Sequence, residues 1–221
     1  MIMKGLILKD LYGVKFQMIG AFLIMLLPIV ITTFGDKREM GAGIAIILNG
    51  MLNYVVITTC SSFLLNTLDY DERSGWSKMQ RGMPLSGGKI IGAKLCAMGL
   101  VLASLTLIFL AANVIGVFVH GLPVEAAVAM PICLCMVQTI ALSPTFALGY
   151  RFGSKATTAA YIGFEVILAA AMILLLFMIF GGDIGGTELR VIAYAGLPVL
   201  TAAVVAASWI TGKKAVSAID I

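Results

Sequence analysis

Five stretches of the chain run at least 20 residues without an Asp, Glu, Lys or Arg: Phe16–Gly35, Met40–Leu68, Leu95–Pro123, Ala126–Tyr150 and Val191–Gly212. A further stretch, Ala156–Gly182, is interrupted only by Glu165. A helix crosses about 30 Å of hydrocarbon with about 20 apolar residues. The pattern therefore predicts six transmembrane helices in an all-α membrane protein. Lipid offers the backbone no hydrogen-bond partners, so each span must satisfy its own peptide groups as a helix. A membrane β-barrel would show short alternating strands instead of long unbroken runs.

Composition strengthens this reading. Of the 221 residues, 61% are hydrophobic and only 12% are charged, against about 25% charged in a typical soluble domain. A soluble fold of this composition would leave large apolar patches in water, and a chain this apolar is not disordered. The charge distribution predicts an orientation. Lys4, Lys9, Lys15, Arg73, Lys78, Arg81, Lys89, Lys94, Arg151, Lys155, Lys213 and Lys214 fall on one side of the predicted topology, and Lys37, Arg38 and Arg190 on the other. The positive-inside rule then puts both termini in the cytoplasm. The net charge of +4 reads as anchoring at an anionic inner leaflet, with no nucleic-acid partner. The first apolar run is longer than the core of a secretory leader and reads as a retained span.

The chain reads as a single transmembrane domain, residues 1–221, with two polar segments of note. Residues 1–15 carry Ile7, Leu11 and Val14 on one stripe and Lys9 on the far side, predicting an N-terminal interfacial helix of moderate amphipathicity. Residues 69–94 form the longest polar connection and hold five of the twelve inner basic residues. Asp69 and Glu72 have the spacing of a capping box, and Asp71 to Arg81 can form a short helix that Gly82 and Pro84 end. On that helix Trp76 and Met79 share a face, flanked by Glu72 and covered by Met83, with Asp71, Lys78 and Arg81 opposite. Ser86 is placed to cap the next helix. Such a helix lies in the headgroup zone by its Trp, or docks Trp76 and Met79 into a groove of a soluble partner.

Little in the chain suggests chemistry of its own. Cys60, Cys96, Cys133 and Cys135 read as small apolar residues, and Cys133 and Cys135 lie about 200° apart on a helix, poor geometry for one metal. His120 reads as a loop residue in the turn to Pro123. Ser86-Gly87-Gly88-Lys89 lacks the other serine-acylase signatures, and Met83 and Ile90 replace the Gly and the Ser or Thr of a phosphate loop. No metal, catalytic residue or cofactor is expected within the chain, and ATP-driven work falls to a partner.

The runs Tyr70-Asp71-Glu72-Arg73-Ser74-Gly75-Trp76, Met83-Pro84-Leu85-Ser86 and Lys89-Ile90-Ile91-Gly92-Ala93-Lys94, with the opening Met3 to Asp10, resemble the ABC-2 type transporter permease family. The likeness is to its small six-helix branch, which includes bacterial exporters of amphipathic peptides such as phenol-soluble modulins. Relatives often carry a basic residue directly after the Ser, where this chain has Gly87-Gly88. The resemblance implies a non-enzymatic membrane subunit of an exporter in the bacterial plasma membrane. Two such subunits, identical or homologous, would form a 12-helix pathway above two ATPase subunits that bind ATP and Mg. It also implies that Asp71, Glu72, Arg73, Trp76, Met79 and Met83 couple the chain to the ATPase, and it favours the partner groove for Trp76. The implied cargo is an amphipathic peptide, an antimicrobial or a lipid-like molecule.

Glu165 lies about 14 Å along its helix from Ala156, near mid-membrane. An intramembrane acid is costly and so a functional candidate, either a polar spot in the cargo pathway or a protonated acid hydrogen-bonded between helices. Small residues spaced four apart at Gly41/Ala45, Gly88/Gly92, Ala93/Ala97 and Ala202/Ala206 predict close helix contacts, and Pro28, Pro131, Pro144 and Pro198 predict kinks. Gly181 to Gly186 suggests a flexible extracellular loop. Two other functions fit the same topology: the substrate-binding membrane component of a vitamin importer, and a non-transporting immunity or scaffold protein. An intramembrane enzyme would need converging acids and histidines that one Glu and one His do not supply.

Overall fold

In the computed structural model the described residues are 2–34, 42–76, 79, 85–120, 124–181 and 192–217. Met83 and residues 182–191, including the Gly-rich segment, lie outside them. The described residues are almost wholly helical, in six long α-helices: α1 (Ile2–Phe34), α2 (Ala42–Arg73), α3 (Gly87–His120), α4 (Val124–Phe152), α5 (Ser154–Gly181) and α6 (Leu197–Ser217). A π-turn, Ile192–Gly196, leads into α6, where Pro198 occupies the first turn, the place a helix tolerates a residue without an N–H. Three described stretches are long and apolar enough to cross a membrane: Gly87–Val114, Val128–Phe152 and Tyr194–Ser217.

The segment 1–15 is continuous with the first apolar run. Residues 2–34 make one helix of 33 residues, about 50 Å long at 1.5 Å per residue. Nothing between Lys4 and Phe16 breaks a helix: Gly5 and Gly13 cost only a fraction of what Pro would.

Helix α4 is the hub, packing against α2, α3, α5 and α6. Its Gln138, Ala141, Leu142, Ser143, Thr145 and Phe146 are at most 1% exposed. Around it lie Ile57, Cys60 and Leu64 of α2 and Leu102, Leu105 and Phe109 of α3. Lipid tails are as apolar as these side chains, so dispersion and interhelical polar contacts, rather than flight from water, hold such a core together. Pro131 and Pro144 both fall inside α4, each removing a backbone donor. Hydroxyls thread the same region: Ser143 donates to the Thr139 carbonyl at 2.5 Å and Thr139 to that of Cys135 at 2.8 Å.

Both ends of the described chain meet at one end of the bundle. There Val216 of α6 packs with Ile90 and Ile91 of α3. Trp209 lies against Gly88 and Gly92, whose missing side chains make room for its ring, and its indole N–H donates to the Gly88 carbonyl at 3.2 Å. The small pair Gly88/Gly92 thus seats a tryptophan, while Ala202 and Ala206 face outward.

Candidate functional site

At that same end, three charges are buried and a fourth lies half-buried beside them. Lys94, in the second turn of α3, is 4% exposed, Asp10 of α1 is 4% exposed and Asp71 of α2 is 3% exposed. The Lys94 ammonium has three donors, and each finds an acceptor: Asp10 Oδ1 at 2.8 Å, Asp71 Oδ2 at 2.8 Å and Thr67 Oγ1 at 3.2 Å. Thr67 in turn donates its hydroxyl to the Leu64 carbonyl at 2.7 Å. Lys9 completes the group, paired with Asp71 Oδ1 and lying 3.5 Å from Asp10 Oδ1. Two lysines and two aspartates make the cluster neutral, the condition under which charges tolerate burial. Tyr150 of α4 is close enough to feel both carboxylates. One polar cluster therefore ties α1, α2 and α3 together beside the end of α4.

This changes the expected roles of several residues. The sequence pattern puts Asp71 on the outward face of a separate short helix, opposite Trp76. Instead α2 continues without a break through Arg73, and its last turn aims Asp71 inward. The expected Asp69–Glu72 capping box does not form. Residues 69–72 lie inside α2, where their amides already have helical partners, so there is no helix start to cap. Asp69 pairs with Arg73 one turn on, at 2.8 Å. Lys9 and Lys94, counted in the sequence among the anchoring charges, are both committed to internal ion pairs.

Helix α2 ends at Ser74–Gly75. Gly75 has φ of +72°, a left-handed conformation that glycine adopts without a Cβ clash. The chain then re-enters helical geometry, with the Met79 amide donating to the Gly75 carbonyl at 3.1 Å. Trp76 is half-buried, its ring 4.9 Å from the Lys9 ammonium, a cation–π contact that joins the segment after α2 to the buried cluster. Met79 is 57% exposed, and Glu72 and Arg73 are exposed as well. The segment thus has an inner anchor at Asp71 and Trp76 and an outer surface at Glu72, Arg73 and Met79.

Glu72 has a second task. Its Oε2 accepts the Ser154 amide at 2.9 Å, and the Ser154 hydroxyl donates to Asp69 at 3.2 Å. A carboxylate at a helix N-terminus satisfies an orphan N–H and the positive end of the dipole, so α2 caps α5 from across the bundle. Ser154, at the start of α5, holds the Glu72 carboxyl below the usual carboxylate range. Gly153, with φ of +86°, makes the tight joint between α4 and α5 that brings Ser154 there.

Glu165 lies on the other side of the core, away from this cluster. Tyr54 of α2 donates its hydroxyl to Glu165 Oε2 at 2.6 Å, while Oε1 is buried without a hydrogen-bond partner among the described residues. Tyr161, one turn earlier, donates towards Gln138 Oε1 at 3.3 Å. Gln138 in turn donates to Thr58 at 3.1 Å. The acid therefore joins a polar chain linking α2, α4 and α5.

Sequence reasoning did not assemble the Lys9–Asp10–Asp71–Lys94 cluster. Its signals were a Lys-Asp pair in an otherwise apolar helix and a lysine between Ala93 and Leu95, but spacing does not say which distant acid meets which base. The four cysteines are free, with Cys60 in the core.

No curated protein and no solved structure matches the chain. A family model described as ABC-2 family transporter protein matches residues 5–215, a span that reaches from the first turn of α1 to the last turn of α6 and includes the buried cluster and the segment around Trp76. The chain belongs to the ABC-2 family of transporter proteins and is a multi-pass membrane permease component of an ABC transporter.

Proposed function

We propose that this chain is the membrane subunit of an ATP-driven exporter, working as a homodimer or heterodimer on two separate ATPase subunits. In this reading it crosses the bacterial plasma membrane six times with both termini in the cytoplasm, and the end bearing the buried cluster is the cytoplasmic one. The cargo is an amphipathic peptide, an antimicrobial or a lipid-like molecule, in keeping with the apolar spans. ATP and Mg reside on the partner.

One observation carries the coupling mechanism: the outward-facing segment after α2 is mechanically tied to three helices. Met79, Glu72 and Arg73 present a surface to the ATPase. Asp71 and Trp76, on the inner side of the same segment, hold Lys94 of α3 and Lys9 of α1. A push on the segment is therefore delivered to α1, α2 and α3 together, and through Glu72 and Ser154 to α5. Paired charges in a low-dielectric interior resist separation, so the cluster moves as a unit. Alternating access follows when the helices tilt together around α4. Glu165 stands as a polar spot on the cargo pathway.

The test is to reconstitute the complex with its ATPase in vesicles and compare Met79→Asp and Trp76→Asp with the native chain. Loss of ATPase binding, or of stimulation of ATP hydrolysis by the permease, is expected for both. Retained complex and retained ATP-dependent export in both variants would sink the coupling role.

A further inference from the structure

The cations at the basic end of the bundle are not all neutralised by acids. Lys9, Lys94 and Arg73 are each paired with an aspartate. Arg151 and Lys214 have no carboxylate partner among the described residues, yet both line one cavity of about 570 Å³ between α4 and α6. The walls are apolar, formed by Ala147 and Leu148 of α4 and Ala215 of α6. Thr211 adds little polarity, because its hydroxyl proton is committed to the carbonyls of Ala207 and Ser208, at 2.9 and 3.2 Å. Among the described residues no acidic side chain lines this cavity. The cavity of about 600 Å³ between α1 and α2 is the contrast, since Asp10, Asp69 and Asp71 offset Lys9 and Arg73 there.

Position narrows the ligand. Arg151 and Lys214 stand in the last turns of α4 and α6, at the same end of the stretches Val128–Phe152 and Tyr194–Ser217 that are long enough to span a membrane. The cavity therefore opens where the hydrocarbon gives way to headgroups. The Arg151 guanidinium stacks 5.2 Å from the Phe152 ring, which orients its plane while leaving its N–H fork free for a phosphate. On the same helix α6, Val199, Leu200 and Ile210 present exposed apolar surface along which acyl chains can lie.

We propose that Arg151 and Lys214 form a binding site for the phosphate headgroup of an anionic phospholipid, seated between α4 and α6. Each basic residue near an anionic headgroup is worth a factor of about five in binding, so the pair contributes roughly thirtyfold. The purified full chain is placed in nanodiscs of phosphatidylcholine with a minor fraction of phosphatidylglycerol, and co-purifying lipid is counted by native mass spectrometry. Phosphatidylglycerol is expected to be enriched over phosphatidylcholine. The double variant Arg151→Gln/Lys214→Gln is expected to lose roughly thirtyfold of that preference, while Lys213→Gln, whose charge lies over the Trp209 ring instead, keeps it. Equal retention in the double variant overturns the site. So does displacement of the lipid by soluble inorganic phosphate, which would make the occupant a free anion. Should the double variant not fold, the native chain decides: its melting temperature must rise with phosphatidylglycerol at low salt and lose that rise at high salt, and no rise refutes the proposal.

Discussion

Replacing Lys94 with Met removes the centre of the buried cluster while keeping most of the side-chain volume. The ammonium holds Asp10 and Asp71 at 2.8 Å each and Thr67 at 3.2 Å. Its loss leaves two buried carboxylates sharing only Lys9, and the cluster passes from neutral to one net negative charge. Breaking a buried pair by removing one partner costs about 3–5 kcal/mol. Lys9 already contacts both acids, which places this variant nearer the lower figure. Adding Asp10→Asn restores the balance of one lysine against Asp71, so the double variant should recover more than about 1 kcal/mol relative to additivity. The assay is thermal unfolding of the purified chain in detergent, followed by far-UV circular dichroism and size-exclusion chromatography. If Lys94→Met melts with the native chain, or if the two substitutions simply add, the cluster does not hold the helices together.

Other consequences are open to measurement. Glu72 has a depressed carboxyl in the folded chain, so its contribution is complete above the unfolded value of about 4.3 and fades as pH falls through the lower folded value. Glu72→Ala should cost about 1 kcal/mol at neutral pH, as lost helix caps do, and should flatten the fall in stability below about pH 4.3. Gly153→Val places a β-branched residue at φ of +86° and should destabilise by about 1–2 kcal/mol, read as a lower melting temperature, whereas Gly163→Ala, where an added Cβ meets nothing, should be neutral or slightly stabilising. Tyr54→Phe removes the hydrogen bond to Glu165 and should cost about 1–3 kcal/mol. Glu165→Gln should reduce export by the reconstituted complex, and unchanged export with unchanged assembly would remove Glu165 from the pathway.

The helices were largely legible because lipid imposes a simple rule: uncharged runs of about 20 residues become helices. The runs that begin at Phe16, Met40 and Leu95 supply most of α1, α2 and α3, but each helix extends further at the basic end. The extensions carry Lys4 to Lys15, Asp69 to Arg73 and Lys89 to Lys94. Reading polar residues as loop or surface failed there because the helices outrun the apolar pattern and bring opposite charges together. Trp76 stood out as the apolar anchor of the polar segment, but its contact with Lys9 depends on α1 lying beside α2, which no local pattern encodes. Trp209 was missed because one aromatic in an apolar span looks like any other, although Gly88 and Gly92, the residues that receive it, did stand out by their spacing.

The order of the cluster along the chain bears on how the protein is made. Asp10 belongs to the first helix, Asp71 to the end of the second and Lys94 to the start of the third. When the ribosome delivers Lys94, both of its counter-ions have already emerged. The nascent three-helix unit can therefore neutralise its charges before α4 is synthesised, and the hub helix, with its two prolines, arrives at a partner whose ionic contacts are already made.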